Sequence, residues 1–362
     1  MNDLSVPKTG LSIRNFLTRR RSRNGLDVTD ILAYAFLLLG VLVMFVPVLW
    51  VVLSSFKTSG DLEEFPPTFL PYESETVMIE GYDEPLRLFE VKQEDGSTER
   101  LAQIRRVGLN AQMLDPEDPE AGPIVVPIAN ARPLRHVGFT TENYANLMAT
   151  TGGDIARYVF NSMFITIVAT LITLVMNAMA AFALSKYRFR GSNIALVAIL
   201  STIMIPATVV LVPTYLIVSS LGLVNNLWGV ILPAVATPTG VFLLRQYMLT
   251  IPDELIEAAR MDHASEWRIF WRIILPLSSP ALAVVAIFSL LWRWNDFLLP
   301  LLILNDREVY TLQLALASFQ TQYEIRYDLL LAMTTLTAMP LAFAFLFLQR
   351  YITSGIASTG IK

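Results

Sequence analysis

The chain has 362 residues, of which 54% are hydrophobic and 16% charged, with a formal net charge of −4, no cysteine and two histidines, His136 and His263. Soluble domains carry about a quarter charged residues, so this balance excludes a soluble globular enzyme and points to a multi-span membrane protein. The lack of cysteine excludes disulfides and thiolate metal sites, and two distant histidines leave little material for a zinc site or a catalytic triad.

Residues 1–29 are polar and basic, with Lys8, Arg14, Arg19, Arg20, Arg21 and Arg23. They read as a cytoplasmic topology signal rather than a nucleic-acid arm, so no nucleic-acid partner is expected. The first apolar run is too long and opens too late for a cleaved signal peptide, and it predicts a span that stays. That span runs from Ile31 to Leu53 within 30–56, and its 23 residues cover about 35 Å, enough to cross with some tilt.

The next segment, 54–157, holds 18 acids against 9 bases and nine prolines between Pro66 and Pro133. Leu86–Gln93 and Thr98–Val107 flank Asp95-Gly96 and predict a β-hairpin with a tight turn, and Ile124-Val125-Val126 adds a candidate strand. The expectation is an extracytoplasmic loop over 57–157 with a small β-rich module at about 73–135. His136, beside Arg135, reads as a surface residue.

Tyr158–Leu184 predicts the second span, ending in the basic turn Ser185-Lys186-Tyr187-Arg188-Phe189-Arg190-Gly191. Ile194–Val212, interrupted by Pro206, predicts the third. The connection from Pro213 to Asn226 lacks Lys and Arg and belongs outside. Leu227–Leu244, Leu277–Leu302 and Leu329–Leu348 complete six spans, five of them in a 158–350 core, with Asn305–Asp328 outside and a tail at 351–362 that ends inside with Lys362. Basic residues then alternate by side as the positive-inside rule asks, and both termini are cytoplasmic.

Between the fourth and fifth spans, Thr250–Pro276 carries Asp253, Glu254, Glu257, Arg260, Asp262, Arg268 and Arg272. A charge at the bilayer centre costs about 2.5–3.5 kcal/mol, so this stretch belongs on a membrane face. Thr250 and Asp253 suggest a capping-box-like start, Pro252 suits a first turn, and Leu255, Ala258 and Ala259 make a narrow apolar stripe fit for docking.

Glu257-Ala258-Ala259, three residues, a position usually glycine, nine residues, then Ile273, Leu275 and Pro276 resembles the EAA loop of bacterial ABC importer permeases. Further pieces resemble the carbohydrate-importer branch, the maltose-type second permease. They are Ser55-Phe56-Lys57, Glu142-Asn143-Tyr144, Asn161-Ser162, Ala183–Phe189, Leu221-Gly222-Leu223, Trp294-Asn295-Asp296-Phe297 and the tail from Gln349 to Lys362. The likeness covers about 30–70 and 138–362; the acidic module has no counterpart in the compact pattern.

The resemblance implies an all-α membrane protein with six helices in the type I ABC importer permease fold, in the bacterial cytoplasmic (inner) membrane. It implies a second permease, a homologous partner, sharing the pore. It also implies an ATPase dimer that binds the ATP and Mg, and an extracytoplasmic solute-binding protein that delivers an oligosaccharide or related polar solute. This chain would hold no cofactor, and no G-x-x-x-x-G-K-[ST] phosphate loop occurs in it. ATPase coupling would fall to Glu257, Ala258, Ala259, Asp262, His263, Leu275 and Pro276, with Leu275-Pro276 also starting the fifth span. His263 departs from the usual glycine: either it takes a left-handed turn, or the helix runs on through Ala264.

Two readings stay open for the residues of the fifth span. Arg293, about 24 Å along the helix from Leu277, pairs with Asp296 at i,i+3 or snorkels, or the two line the solute path with Trp294 and Asn295. Trp292 and Trp294 are belt aromatics, or stack on a sugar ring. Rival functions are a stand-alone secondary transporter or channel, which would show inverted repeats, and a membrane-anchored sensor using the acidic module.

Overall fold

The computed structural model describes residues 28–62, 66–82, 84–92, 97–319 and 326–358, with the backbone alone at 28–29, 120 and 347–358. The basic residues at 8–23, the Asp95-Gly96 turn and the tail at 359–362 lie outside the described residues. The chain divides into two units, one ending at Trp50 and the other running from Val51. The first unit contains most of helix α1 (Val28–Ser54), apolar around its whole circumference with its side chains exposed, as a helix solvated by hydrocarbon would be.

In the second unit come the short α2 (Ser59–Leu62) and α3 (Glu142–Thr150), then the long α4 (Ile155–Lys186). Three bent pairs follow: α5 (Ser192–Met204) with α6 (Ala207–Ser220) at 104°, α7 (Leu227–Ala234) with α8 (Pro238–Met248) at 45°, and α10 (Glu266–Leu277) with α11 (Ser279–Trp294) at 77°. Between the last two pairs lies α9 (Glu254–Met261), and α12 (Leu298–Ile303), α13 (Leu312–Ser318) and α14 (Tyr327–Ser358) complete the chain. Among the described residues, three helices are individually long and apolar enough to cross a membrane, or up to six if each bent pair is one span.

Proline explains two of the bends. Pro206 and Pro238 lack an N–H, and the residues before them, Ile205 and Thr237, are extended. Several expected boundaries move. The presumed loop at 213–226 is helical to Ser220, because Pro213 is carried inside α6 rather than ending it. The fifth span stops at Trp294 instead of Leu302, where Asn295 leaves the helix and α12 starts afresh. The last helix continues past Leu348 to Ser358.

The insertion after α1 is a sheet of its own. Strands β1 (Tyr72–Ser74) and β8 (Arg135–Val137) form an antiparallel neck with Tyr72 opposite Val137 and Glu73 opposite His136. At its base the Gly138 N–H donates to the Pro71 carbonyl at 3.3 Å. Beyond it, β2 (Thr76–Val77), β3 (Leu86–Lys92), β4 (Thr98–Val107), β5 (Asn110–Leu114) and β6 (Ile124–Pro127) lie in sequence order, with β7 (Ala131–Pro133) also on β3. The expected hairpin is β3–β4, in register from Arg87↔Gln103 to Lys92↔Thr98. Leu101 and Ala102, adjacent and therefore on opposite faces, belong to two small cores, one with Val91, Ala111, Met113 and Val126, the other with Ile79 and Leu114.

Candidate functional site

The charged stretch after α8 is fastened to the C-terminal end of α4. Lys186 Nζ, almost fully buried, donates to the Ile251 carbonyl at 2.5 Å and to Asp253 Oδ1 at 2.7 Å. This lysine contact holds the Asp253 carboxyl below its ordinary range. One residue on, the Tyr187 hydroxyl donates to Glu266 Oε2, and Arg260 Nε donates to Glu266 Oε1 at 2.8 Å. Burial and then the Glu266 carboxylate push the Tyr187 phenol up to about 12, so it remains a neutral donor. Beneath this polar lacing, Phe182 stacks at 5.6 Å from Phe270 in a core shared with Leu244, Met248, Ile251, Ile256, Ala259, Ile269 and Ile274.

Helix α9 begins differently from the sequence expectation. Thr250 Oγ1 donates back to the Tyr247 carbonyl at 2.7 Å, Asp253 makes no side-chain cap, and Pro252 precedes the helix instead of occupying its first turn. The aspartate that would have capped is engaged by Lys186. The stripe Leu255, Ala258 and Ala259 is also split. Ile256 and Ala259 are buried against the core, while Leu255, Glu257, Ala258 and Asp262 are exposed. Ile256 is three residues from Ala259 and one turn of helix brings them to one face; the apolar isoleucine was the signal for the buried side.

The helix ends at a left-handed residue. His263 has φ +57°, its N–H donates to the Arg260 carbonyl at 3.0 Å, and the Ala264 N–H donates to the Ala259 carbonyl at 3.0 Å. Those two bonds make a Schellman motif, which needs a positive φ at that residue whichever side chain stands there. Leu275 and Pro276 lie in the last turn of α10, after a π-helical stretch at Phe270–Ile274 and before the 77° bend at Ser278.

The residues of α11 fall in new places too. Arg293 does not ion-pair with Asp296: its Nη2 donates to Thr173 Oγ1 and to the Ala234 carbonyl, both at 2.6 Å, and its Nε donates to Ser289 Oγ at 3.1 Å. Asp296 receives the Leu299 N–H at 3.5 Å, and both side chains line a small cleft with Ser162, Ile165, Val230, Pro300 and Thr311. Trp294 is neither belt nor exposed stacking surface. It is buried, and its Nε1 donates to the Thr337 carbonyl of α14 at 3.0 Å. Asn295 is exposed and donates to the Leu291 carbonyl at 2.8 Å, and Trp292 faces outward.

Residues quoted as separate family-like pieces meet in space. Asn143 Nδ2 donates to the carbonyls of Ser55 and Lys57 at 2.9 and 2.7 Å, and the Ser55 and Tyr144 hydroxyls stand 2.7 Å apart. Asn161 Nδ2 donates to the carbonyls of Glu308 and Tyr310, both at 3.0 Å, and Ser162 Oγ accepts the Leu312 N–H. Asn177 was missed: it accepts the Thr237 N–H at 3.2 Å and donates to Thr237 Oγ1 at 2.6 Å. A polar amide inside an apolar run was its only sequence signal. His136 stands 3.7 Å from Glu73, on the neck.

Residues 177–358 match the profile of the family described as binding-protein-dependent transport system inner membrane component. Over 223 residues the chain is 39% identical to the arabinooligosaccharides transport system permease protein AraQ of Halalkalibacterium halodurans, spanning 62% of this chain and 80% of the relative. The protein of the same description from Bacillus subtilis is 34% identical over 268 residues, 74% of this chain and 87% of the relative. Among solved structures, a bacterial ABC transporter involved in the import of the acidic polysaccharide alginate contains a similarly folded chain, with TM-score 0.64 at 18% identity, covering 91% of this chain and 99% of the other.

Proposed function

This chain belongs to the family of binding-protein-dependent transport system inner membrane components, and we infer that it carries an oligosaccharide or related polar solute handed over by an extracytoplasmic solute-binding protein. It is the permease subunit of an ATP-driven importer, a transport subunit and not an enzyme. The relatives named for arabinooligosaccharides support the solute class. Each bent pair contributes one span in this reading, with the charged first part of α10 at the membrane face, which makes six crossings of the bacterial inner membrane with both termini cytoplasmic and the β-sheet insertion outside. A second, homologous permease completes the pore, and a partner ATPase dimer holds ATP and Mg.

The observation that carries the coupling role is the two-sidedness of α9. Its inner side, Ile256 and Ala259, is embedded in the same core as α4, α8 and α10. Its outer side offers Glu254, Glu257, Ala258 and Asp262 to solvent, with acids at the positive end of the helix dipole. A partner that moves the outer side must carry the inner core with it, because a close-packed interior transmits displacement rather than absorbing it. Closure of the ATPase dimer would reach the solute path by this route.

Glu257→Arg reverses the charge presented to the ATPase without touching the core. The assembled complex should still bind solute-loaded receptor but lose receptor-stimulated ATP hydrolysis; unchanged stimulation would remove the coupling role. The sidedness is tested by single cysteines on the natural cysteine-free background. A cysteine replacing Leu109, at the exposed β4–β5 turn, should react with a membrane-impermeant maleimide in intact spheroplasts. One replacing Arg190 should not, and the reverse pattern would invert the topology.

A further inference from the structure

Among the backbone groups that the interruption between α7 and α8 leaves without helical partners, two are taken up by side chains. The Ala234 carbonyl would accept from position 238 in a continuous α-helix, but Pro238 has no N–H. The next-best donor, the Thr237 N–H, is turned away and taken by Asn177 Oδ1 at 3.2 Å. An unpaired carbonyl inside an apolar bundle is strongly disfavoured. Arg293 Nη2 supplies the missing bond at 2.6 Å, while its other donors reach Thr173 on α4 and Ser289 on its own helix. One guanidinium thus ties the broken helix to α4 and α11. Gly240, one turn into α8, is part of the same joint: a Cβ there would come within 2.2 Å of Asn177 Nδ2 and 2.6 Å of Thr237 Oγ1.

α8 leads through residues 249–253 directly into α9. The angle at which α8 leaves the break therefore sets where the outer face of α9 is presented. We propose that Arg293 is a positioning residue of the transport cycle: it replaces the hydrogen bond that Pro238 removes from Ala234, and so holds the joint through which α9 acts on α4 and α11. The proposal rests on the permease reading above. It assigns Arg293 to the joint rather than to solute recognition, and the two roles make opposite demands on Pro238.

The test is a double-mutant cycle in the reconstituted complex, with Arg293→Met, Pro238→Ala and the double variant. Arg293→Met should lower the maximal rate of receptor-stimulated transport about tenfold, the loss expected for one hydrogen bond from a charged donor. The receptor concentration giving half-maximal rate should be unchanged. Pro238→Ala restores an N–H at the position that can serve Ala234. In that background Arg293→Met should cost no more than about threefold, with rescue of assembly if the single variant fails to assemble. A full tenfold loss in the Pro238→Ala background, or an effect of Arg293→Met confined to half-saturation, overturns the proposal. Absence of a co-purifying ATPase from the parent complex would instead overturn the permease reading, a separate outcome read before the cycle is begun.

Discussion

The β-sheet insertion and the helical block around Phe270 are assembled from opposite kinds of contact. In the insertion, successive strands pair with their neighbours, and both ends of the segment return to one point, where Gly138 bonds Pro71. Among the described residues, its two cores are built from residues between Val77 and Ala131. The helical block instead gathers Ala178 and Phe182 from α4, Leu244 and Met248 from α8, Ile256 and Ala259 from α9, and Phe270 and Ile274 from α10. Apart from the Arg87 guanidinium, which lies against Gly60, the insertion is tied to the rest at its neck and can be altered or removed with little disturbance beyond it. A structure stitched from five helices, with Val285 of α11 also in this core, has no such boundary, and a disturbance at one side chain reaches all of them. That contrast suits a part that adds a surface and a part that transmits a movement.

Matched truncations give the strongest test of the contrast. Phe270→Ala removes a buried ring that contacts Phe182, Trp267 and Trp271, and should cost about 3–5 kcal/mol. We expect loss of assembled complex on size-exclusion chromatography. Leu101→Ala, in the sheet, should cost about 2–5 kcal/mol locally and expose the insertion to protease, yet leave the ATPase-bound complex intact. If Leu101→Ala also dissolves the complex, the two regions are not separable as described.

A smaller effect is expected at the end of α9. His263 holds a left-handed backbone that costs a residue with a Cβ about 1–2 kcal/mol and glycine almost nothing. His263→Gly should therefore raise the thermal unfolding temperature of the complex and retain transport, whereas the β-branched His263→Val should lower both. Greater stability in the valine variant would mean that the Schellman turn does not persist in the assembled transporter.

The smallest effect should come from the largest change. Deleting 73–135 and joining the neck through a short link should leave assembly and basal ATP hydrolysis unaltered. Any difference should appear as weaker docking of the solute-binding protein, measured by titrating receptor against transport rate. Failure of the helices after Gly138 to insert would show that the sheet is needed to build the core.

Much of the architecture was legible in the residues because its causes are local. Apolar runs of bilayer length, the alternation of Leu101 and Ala102 across a sheet, the charge of Thr250–Pro276 and the break at Pro206 each follow from a few neighbouring side chains. The left-handed turn at His263 was foreseen as one of two outcomes for the same reason. Helix ends were less legible: α6 absorbs Pro213, and α11 stops at Trp294 in the middle of an apolar run, since tertiary contacts override local propensity at such places.

Partner choice was not legible at all. Arg293 and Asp296 stand three residues apart and invite a pair, yet the arginine bonds Thr173 and Ala234. Asp253 reads as part of a cap in the sequence and is held by Lys186, 67 residues earlier. Trp294 could have faced lipid or sugar and is packed against α14 instead. The sequence by itself determined how many apolar segments there are, where the charged stretch between the fourth and fifth of the family-like spans lies and that an insertion interrupts the family pattern. Only the tertiary structure decided which face of α9 is buried and which orphaned backbone groups each polar side chain satisfies. A hydrogen bond inside an apolar bundle goes to whichever group the packing brings within about 3 Å, and that distance is set by helices far apart in the chain.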